Sequence, residues 1–280
     1  YLHLAPDAPQ TEGLLKSGCI GVAYETVTAD NRTLPLLAPM SEVAGRMAVQ
    51  VGAYSLQKSE GGLGALLGGV PGVAPSNVVV LGGGVAGLNA TKMAVGMGAD
   101  VTVIERNIDR LRYLDDIFAG RIKTVYSTAD AVEKAVVQAD LVIGTVLIPG
   151  ANAPKLIPRT LLQKMKKGAV IVDVAIDQGG CTETSKATTH ENPTYVVDDV
   201  VHYCVANMPG GVPRTSTYAL NNATLPYALA IANKCIKQAL LDDVHLLNGL
   251  NVCKGKLTYK AVADAQNLAF TPALDAVNSL

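Results

Sequence analysis

The run Val78-Val79-Val80-Leu81-Gly82-Gly83-Gly84-Val85-Ala86-Gly87 decides the fold. Four apolar, mostly β-branched residues read as a strand, and the glycines that follow fit Gly-x-Gly-x-x-Gly. That pattern is weak alone, but here it leaves a strand and opens a helix, the context its mechanism requires. Gly82 permits the tight turn, Gly84 lets a pyrophosphate approach the backbone, and Gly87 allows close packing of helix on strand. The helix start then offers unpaired N–H groups to phosphates. A ribose-binding carboxylate is expected about 20 residues on, at the end of the second strand. Glu105 stands there, 23 residues after Gly82. It can accept hydrogen bonds from a ribose diol and would repel a 2′-phosphate, which favours NAD over NADP, a preference that the neighbouring Arg106 weakens.

Working outward, Val101–Glu105, 123–127, 140–144 and 169–173 read as further strands beside Asn77–Leu81. They are nearly continuous apolar runs, as expected where helices cover both faces of a sheet. Helical periods lie near Val85–Gly96, Ile108–Phe118, Ala129–Gln138 and 160–166. The alternation predicts an α/β, doubly wound parallel sheet of Rossmann type. Ser41, after Pro39, can cap a helix with apolar positions at Val43, Met47, Val51 and Tyr54. The breaker Pro209-Gly210-Gly211-Val212-Pro213 is a candidate hinge, and 225–241 reads as a long helix. Residues 38–213 are thus expected to form the dinucleotide-binding domain. The flanks 1–37 and 214–280 fall outside it and are expected to come together as a second domain.

Composition narrows the function classes. At roughly 150 residues per domain, 280 residues make about two domains. With 24 acidic and 23 basic residues the net charge is −1, so no field draws nucleic acid or an anionic membrane. A chain with two Phe, no Trp and only 4% aromatic residues offers no base-stacking platform. Mean hydropathy is +0.27, yet every long apolar run is broken by Gly, Pro or charge, so no membrane span is expected. The chain opens at Tyr1 without Met or a basic-then-apolar leader and reads as part of something longer. Cys19, Cys181, Cys204, Cys235 and Cys253 are odd in number and lack Cys-x-x-Cys spacing; with four dispersed histidines they give no zinc pattern. Reduced thiols in the cytoplasm fit best.

Ligands of such sheets lie beyond the carboxyl ends of the strands. That makes Ser127, Val146-Leu147 and Asp177 candidates. Asp177, in Val174-Ala175-Ile176-Asp177-Gln178-Gly179-Gly180, reads either as a proton-handling carboxylate or as a turn-forming Asp before Gly-Gly. Asp173, four residues earlier, reads as structural. His3, in Tyr1-Leu2-His3-Leu4, opposes the two leucines if that run is a strand. It reads either as an acid/base group titrating near neutrality or as a satisfied core histidine. His190, His202 and His245 take the core reading. Asn207-Met208 offer an amide donor and acceptor and an apolar wall to a nicotinamide.

The segments YLHLA, GVAYETV, LPLLAPMSEVAGR, GGVPGV, LGGGVAG, DVAIDQGGC, VANMPG and TSTYALNNATLPY, in this order, closely resemble the bacterial alanine dehydrogenase family. The NAD-binding subunit of proton-translocating transhydrogenase shares part of the pattern. The resemblance implies reversible NAD-dependent oxidative deamination of L-alanine to pyruvate and ammonium, in a homo-oligomer, commonly a hexamer. It matches His3 and Asp177 to the family's catalytic pair. It matches Ser41, Val85, Ala86, Glu105, Arg110, Ser127, Val146, Leu147, Val174, Ala175, Ile176, Asp177, Val205, Ala206, Asn207 and Met208 to its NAD contacts. Glu105 replaces the usual Asp, Leu63 a common Arg, and Lys186 a cofactor-contacting Arg, keeping the charge without the planar fork. The family begins some ninety residues earlier, in a segment that carries the Arg and Lys holding the substrate carboxylate. The alternatives are therefore a transhydrogenase-like NAD module or a cofactor-binding fragment without activity.

Overall fold

Val78 and Val80 face one side of a seven-stranded sheet, Val79 and Leu81 the other, and all four are at most 3% exposed. The computed structural model describes residues 1–30, 33–146 and 153–280. In chain order its elements begin with α1 (Ala8–Ser17), β1 (Ile20–Val22), α2 (Ala38–Ser55), β2 (Asn77–Leu81) and α3 (Val85–Gly96). There follow β3 (Asp100–Glu105), α4 (Ile108–Phe118), β4 (Lys123–Tyr126), α5 (Ala129–Gln138), β5 (Leu141–Gly144), α6 (Arg159–Leu162) and β6 (Val170–Asp173). The last are β7 (Thr194–Val197), β8 (Val200–Tyr203), α7 (Pro213–Asp242), α8 (Val244–Leu247), β9 (Leu250–Cys253), β10 (Lys256–Leu257), α9 (Lys260–Gln266) and α10 (Ala273–Asn278).

The chain divides into two compact units, Ser41–Pro213 and Tyr1–Met40 with Arg214–Leu280. The Ser41–Pro213 unit holds the sheet, in the order β4-β3-β2-β5-β6-β8-β7. All its neighbours run parallel except β7, which pairs antiparallel with β8. The order turns back on either side of β2, so the crevice at the carboxyl ends of β2 and β5 is the switch point where such sheets bind ligands. On one face Val78, Val80, Val101 and Val103 pack under Ala48 and Val49 of α2, Ala90 and Ala94 of α3, and Leu114 and Phe118 of α4. On the other, Val79, Leu81 and Val142 meet Val132 and Val136 of α5 and Leu161 and Leu162 of α6. Each fully buried Val or Leu contributes about 1.5–3 kcal/mol by leaving water. Short polar caps start the helices: Asn107 accepts from the Arg110 N–H at 3.1 Å and Thr128 from the Ala131 N–H at 3.1 Å.

The other unit carries a three-stranded antiparallel sheet, β1-β9-β10. Its core gathers Val27, Leu36, Leu240, Leu246, Leu250 and Val277. Within the long α7, Cys235 departs from helical geometry, at φ 62 and ψ 155.

The doubly wound sheet expected from the sequence is present, with four corrections of detail. Ser41 does not cap α2, which starts three residues earlier at Ala38 and places Pro39 in its first turn, where a missing N–H costs nothing. Tyr1–Leu4 is not a strand: His3 sits at φ 49, and the Leu2 and His3 N–H groups both go to Glu25 Oε1 at 2.8 Å instead of to a neighbouring strand. The helix expected over 160–166 is the four-residue α6. The edge strand β7 is absent from the sequence reading: it is only four residues long, Thr194-Tyr195-Val196-Val197, and none of them is fully buried. No helix among the described residues is long and apolar enough to cross a membrane.

Candidate active site

The glycine loop is built as its motif requires. Gly82 sits at φ 98, a left-handed conformation that residues with a Cβ rarely adopt. A Cβ on Gly87 would lie 1.9 Å from the Gly82 carbonyl oxygen, so only glycine lets α3 start this close to β2. The Thr145 hydroxyl, just beyond β5, is shared between the carbonyls of Leu81 and Gly82, each at 2.9 Å. Gly84 is the N-cap of α3 with no side-chain cap, and a Cβ there would meet nothing within 4 Å. Among the described residues nothing caps the first N–H groups of this helix, the arrangement that receives a pyrophosphate.

Glu105, at the end of β3, reaches back to this loop: Oε2 accepts the Gly83 N–H at 2.7 Å, and Oε1 accepts those of Arg106 at 2.6 Å and Asn107 at 2.9 Å. Three amides thus fix the carboxylate beside the loop, with one lone-pair site left on Oε2 for a ribose hydroxyl. Arg110, from the first turn of α4, donates through Nε to the Gly83 carbonyl and through Nη2 to that of Gly84 at 3.3 Å. These residues fit a bound NAD.

The other sequence candidates are spread over both units. Ser127 follows β4 and donates its N–H to the Glu105 carbonyl at 3.0 Å. Ser41 is half-buried in the first turn of α2. Val146 follows β5, while Leu147 lies outside the described residues. Beyond β6 the chain folds into a 3-10 turn, Val174–Gln178, in which Ala175 and Ile176 are buried and Asp177 is exposed. The Asn207 N–H donates to Asp177 Oδ1 at 3.2 Å, so the turn and the Val205–Met208 segment are brought together. Asn207 sits at φ 52, Ala206 is exposed, and Val205 and Met208 are buried in the core. Lys186 lies with its ammonium over the Tyr195 ring, 5.2 Å from the centroid. His3, in the other unit, has Nδ1 3.2 Å from the Tyr1 hydroxyl.

Asp173, read as structural, is wholly buried at the base of the turn. His202 is buried too, with Nδ1 donating to the Val200 carbonyl at 3.0 Å and Nε2 bonded to Thr184 Oγ1 at 2.8 Å; burial lowers its pKa. Cys181 and Cys204 are buried; desolvation, reinforced by the Asp173 charge, pushes Cys181 well up, and burial carries Cys204 to about 11. No cluster of potential metal ligands occurs among the described residues. Lys155 was missed by sequence reasoning. Its ammonium donates to the carbonyls of Gly179 and Gly180, and no motif marks a lysine that binds main chain.

With this geometry in view, comparison with known proteins is decisive. The family described as alanine dehydrogenase/PNT, C-terminal domain, matches residues 48–260. The chain belongs to the alanine dehydrogenase/PNT family. Within that family it is 64% identical to alanine dehydrogenase of Halomonas elongata over 98% of this chain and 74% of that protein. It is 58% identical to alanine dehydrogenase of Methanococcus maripaludis over 99% of this chain and 75% of that one. A solved L-alanine dehydrogenase superposes with a TM-score of 0.91 at 53% identity, covering 95% of this chain and 74% of the other. A transhydrogenase from Sinorhizobium meliloti, at 24% identity and a TM-score of 0.72 over 92% of this chain and 72% of its own, shares the fold. The alanine dehydrogenase/PNT family accounts for NAD as the cofactor that the glycine loop and Glu105 fit.

Proposed function

We propose that this protein catalyses the reversible, NAD-dependent oxidative deamination of L-alanine to pyruvate and ammonium. The observation that carries this is the 64% identity to an alanine dehydrogenase across 98% of the chain. The Ser41–Pro213 unit is assigned NAD binding and the remaining unit the substrate role. When bound, NAD accepts hydride from the alanine Cα. The chain's own groups do the rest. The α3 N-terminus and Gly84 take the pyrophosphate, and Glu105 holds the adenosine ribose. Arg110, Ser127, Val146 and the segments 174–177 and 205–208 line the rest of the cofactor, with Ser41 and Lys186 as further contacts. Asp177 takes or orients a proton on the amine or on the water that attacks the iminium carbon. His3 bonds the oxygen that becomes the carbonyl and carries its proton.

The test is NADH formation dependent on L-alanine, and NADH consumption dependent on pyruvate with ammonium, each followed by absorbance. Turnover in neither direction, with NADH still bound, overturns the proposal. Homo-oligomerisation is the quaternary reading: exposed Tyr218, Leu225 and Leu229 share one face of α7, an apolar stripe of the kind that subunit contacts cover. Light scattering on the purified protein checks it. The cytoplasm is the assigned compartment, in keeping with five free cysteines.

A further inference from the structure

We propose that Asp173 and Lys155 are positioning residues that grip the Val174–Gln178 turn, and with it Asp177, from opposite polar sides. The Asp173 carboxylate takes hydrogen-bond donors from both ends of the turn: the Ala175 N–H at 3.1 Å on Oδ1, and the Cys181 N–H at 2.8 Å and Ser185 hydroxyl at 2.5 Å on Oδ2. Lys155 takes acceptors from the closing limb, the carbonyls of Gly179 and Gly180, the latter at 2.9 Å. The segment bearing Lys155 is itself tied down, by Ala153 N–H to the Gln178 carbonyl at 2.9 Å and Leu156 N–H to the Cys181 carbonyl at 2.8 Å.

Two physical arguments make this grip more than packing. Asp173 is 0% exposed, and among the described residues no cation forms an ion pair with it, so its charge is held by hydrogen-bond donors, those three among them. A carboxylate buried this way is tolerated only while its hydrogen bonds are intact, which couples its burial to the folded turn. The limb that Lys155 holds contains Gly179 and Gly180, both at positive φ, and is the part of the turn with the most conformational freedom. Fixing it matters because a reacting group misplaced by about 1 Å can cost about 100-fold in rate.

The proposal rests on the acid/base reading of Asp177, and its test separates the two. Lys155→Met alters an exposed side chain and is expected to lower kcat about 10- to 100-fold while NADH affinity stays within about twofold. Lys155→Arg restores most of the loss. In an Asp177→Asn background Lys155→Met adds little, because both changes act on one group. Hydrogen exchange at the Ala175 and Cys181 amides quickens in Lys155→Met and in Asp173→Asn. Unchanged exchange in both variants overturns the grip whatever Asp177 does, as does a full additional loss in the double variant. Wild-type turnover in Asp177→Asn overturns the acid/base reading, and the catalytic part of this proposal with it, while the exchange data still report whether the turn is held.

Discussion

Glu105 Oε2 accepts the Gly83 N–H at 2.7 Å, so the acid that ends one strand is fastened to the loop that leaves the next. The proposed role of Glu105, holding the adenosine ribose, can be tested at this bond. Glu105→Gln is expected to weaken NADH binding about tenfold, the worth of one hydrogen bond to a charged group, and to narrow the discrimination against NADPH. Fluorescence titration with both nucleotides measures this, and an unchanged ratio of the two affinities counts against the assignment.

His3→Ala is expected to reduce turnover about 10²- to 10⁴-fold, the usual range for a lost acid/base group, while NADH binding stays nearly intact. Steady-state kinetics beside a nucleotide titration checks it. A variant with wild-type kcat removes His3 from the mechanism.

Cys235, exposed and at φ 62, ψ 155 inside α7, occupies a region of backbone space that is essentially reserved for glycine. Cys235→Gly should stabilise the protein by about 1–3 kcal/mol, seen as a higher urea midpoint. Cys235→Ala keeps a Cβ and so keeps the strain. Equal midpoints for the Gly and Ala variants would show that the backbone is relaxed there.

Burial holds the His202 pKa below its ordinary value of 6.5, so the folded protein refuses a proton that the unfolded chain accepts. Stability is therefore expected to fall as pH drops below 6.5, by at most about 1.4 kcal/mol per pH unit from this residue, levelling once pH passes below its folded-state pKa. His202→Gln flattens that part of the profile. Chemical unfolding across this pH range, compared between the two proteins, measures it.

Much of this was legible in the sequence, for identifiable reasons. Asn77–Leu81, Val85–Gly96, Ile108–Phe118 and Ala129–Gln138 lie at the residues expected, because apolar runs and helical periods there agree with local capping. The glycine loop was readable as a motif because Gly82 and Gly87 answer backbone demands, a positive φ and a close approach of helix to strand. What stayed hidden depends on distant partners. His3 leaves the extended conformation because its N–H is captured by Glu25, 22 residues away. Asp177 is tied to Asn207, 30 residues on, and Lys155 grips carbonyls, which leave no signature in side-chain identity.

The hydroxyl of Thr145, shared between the carbonyls of Leu81 and Gly82, makes the glycine turn unsuited to transplantation. An engineer who exchanges the Gly82–Gly87 cassette for one with a side chain at position 87 would set its Cβ 2.8 Å from the Thr145 hydroxyl oxygen, more than fifty residues downstream. Such a graft should be designed as a matched pair with position 145, and a point change at Glu105 alters the grip on Gly83 of the same loop.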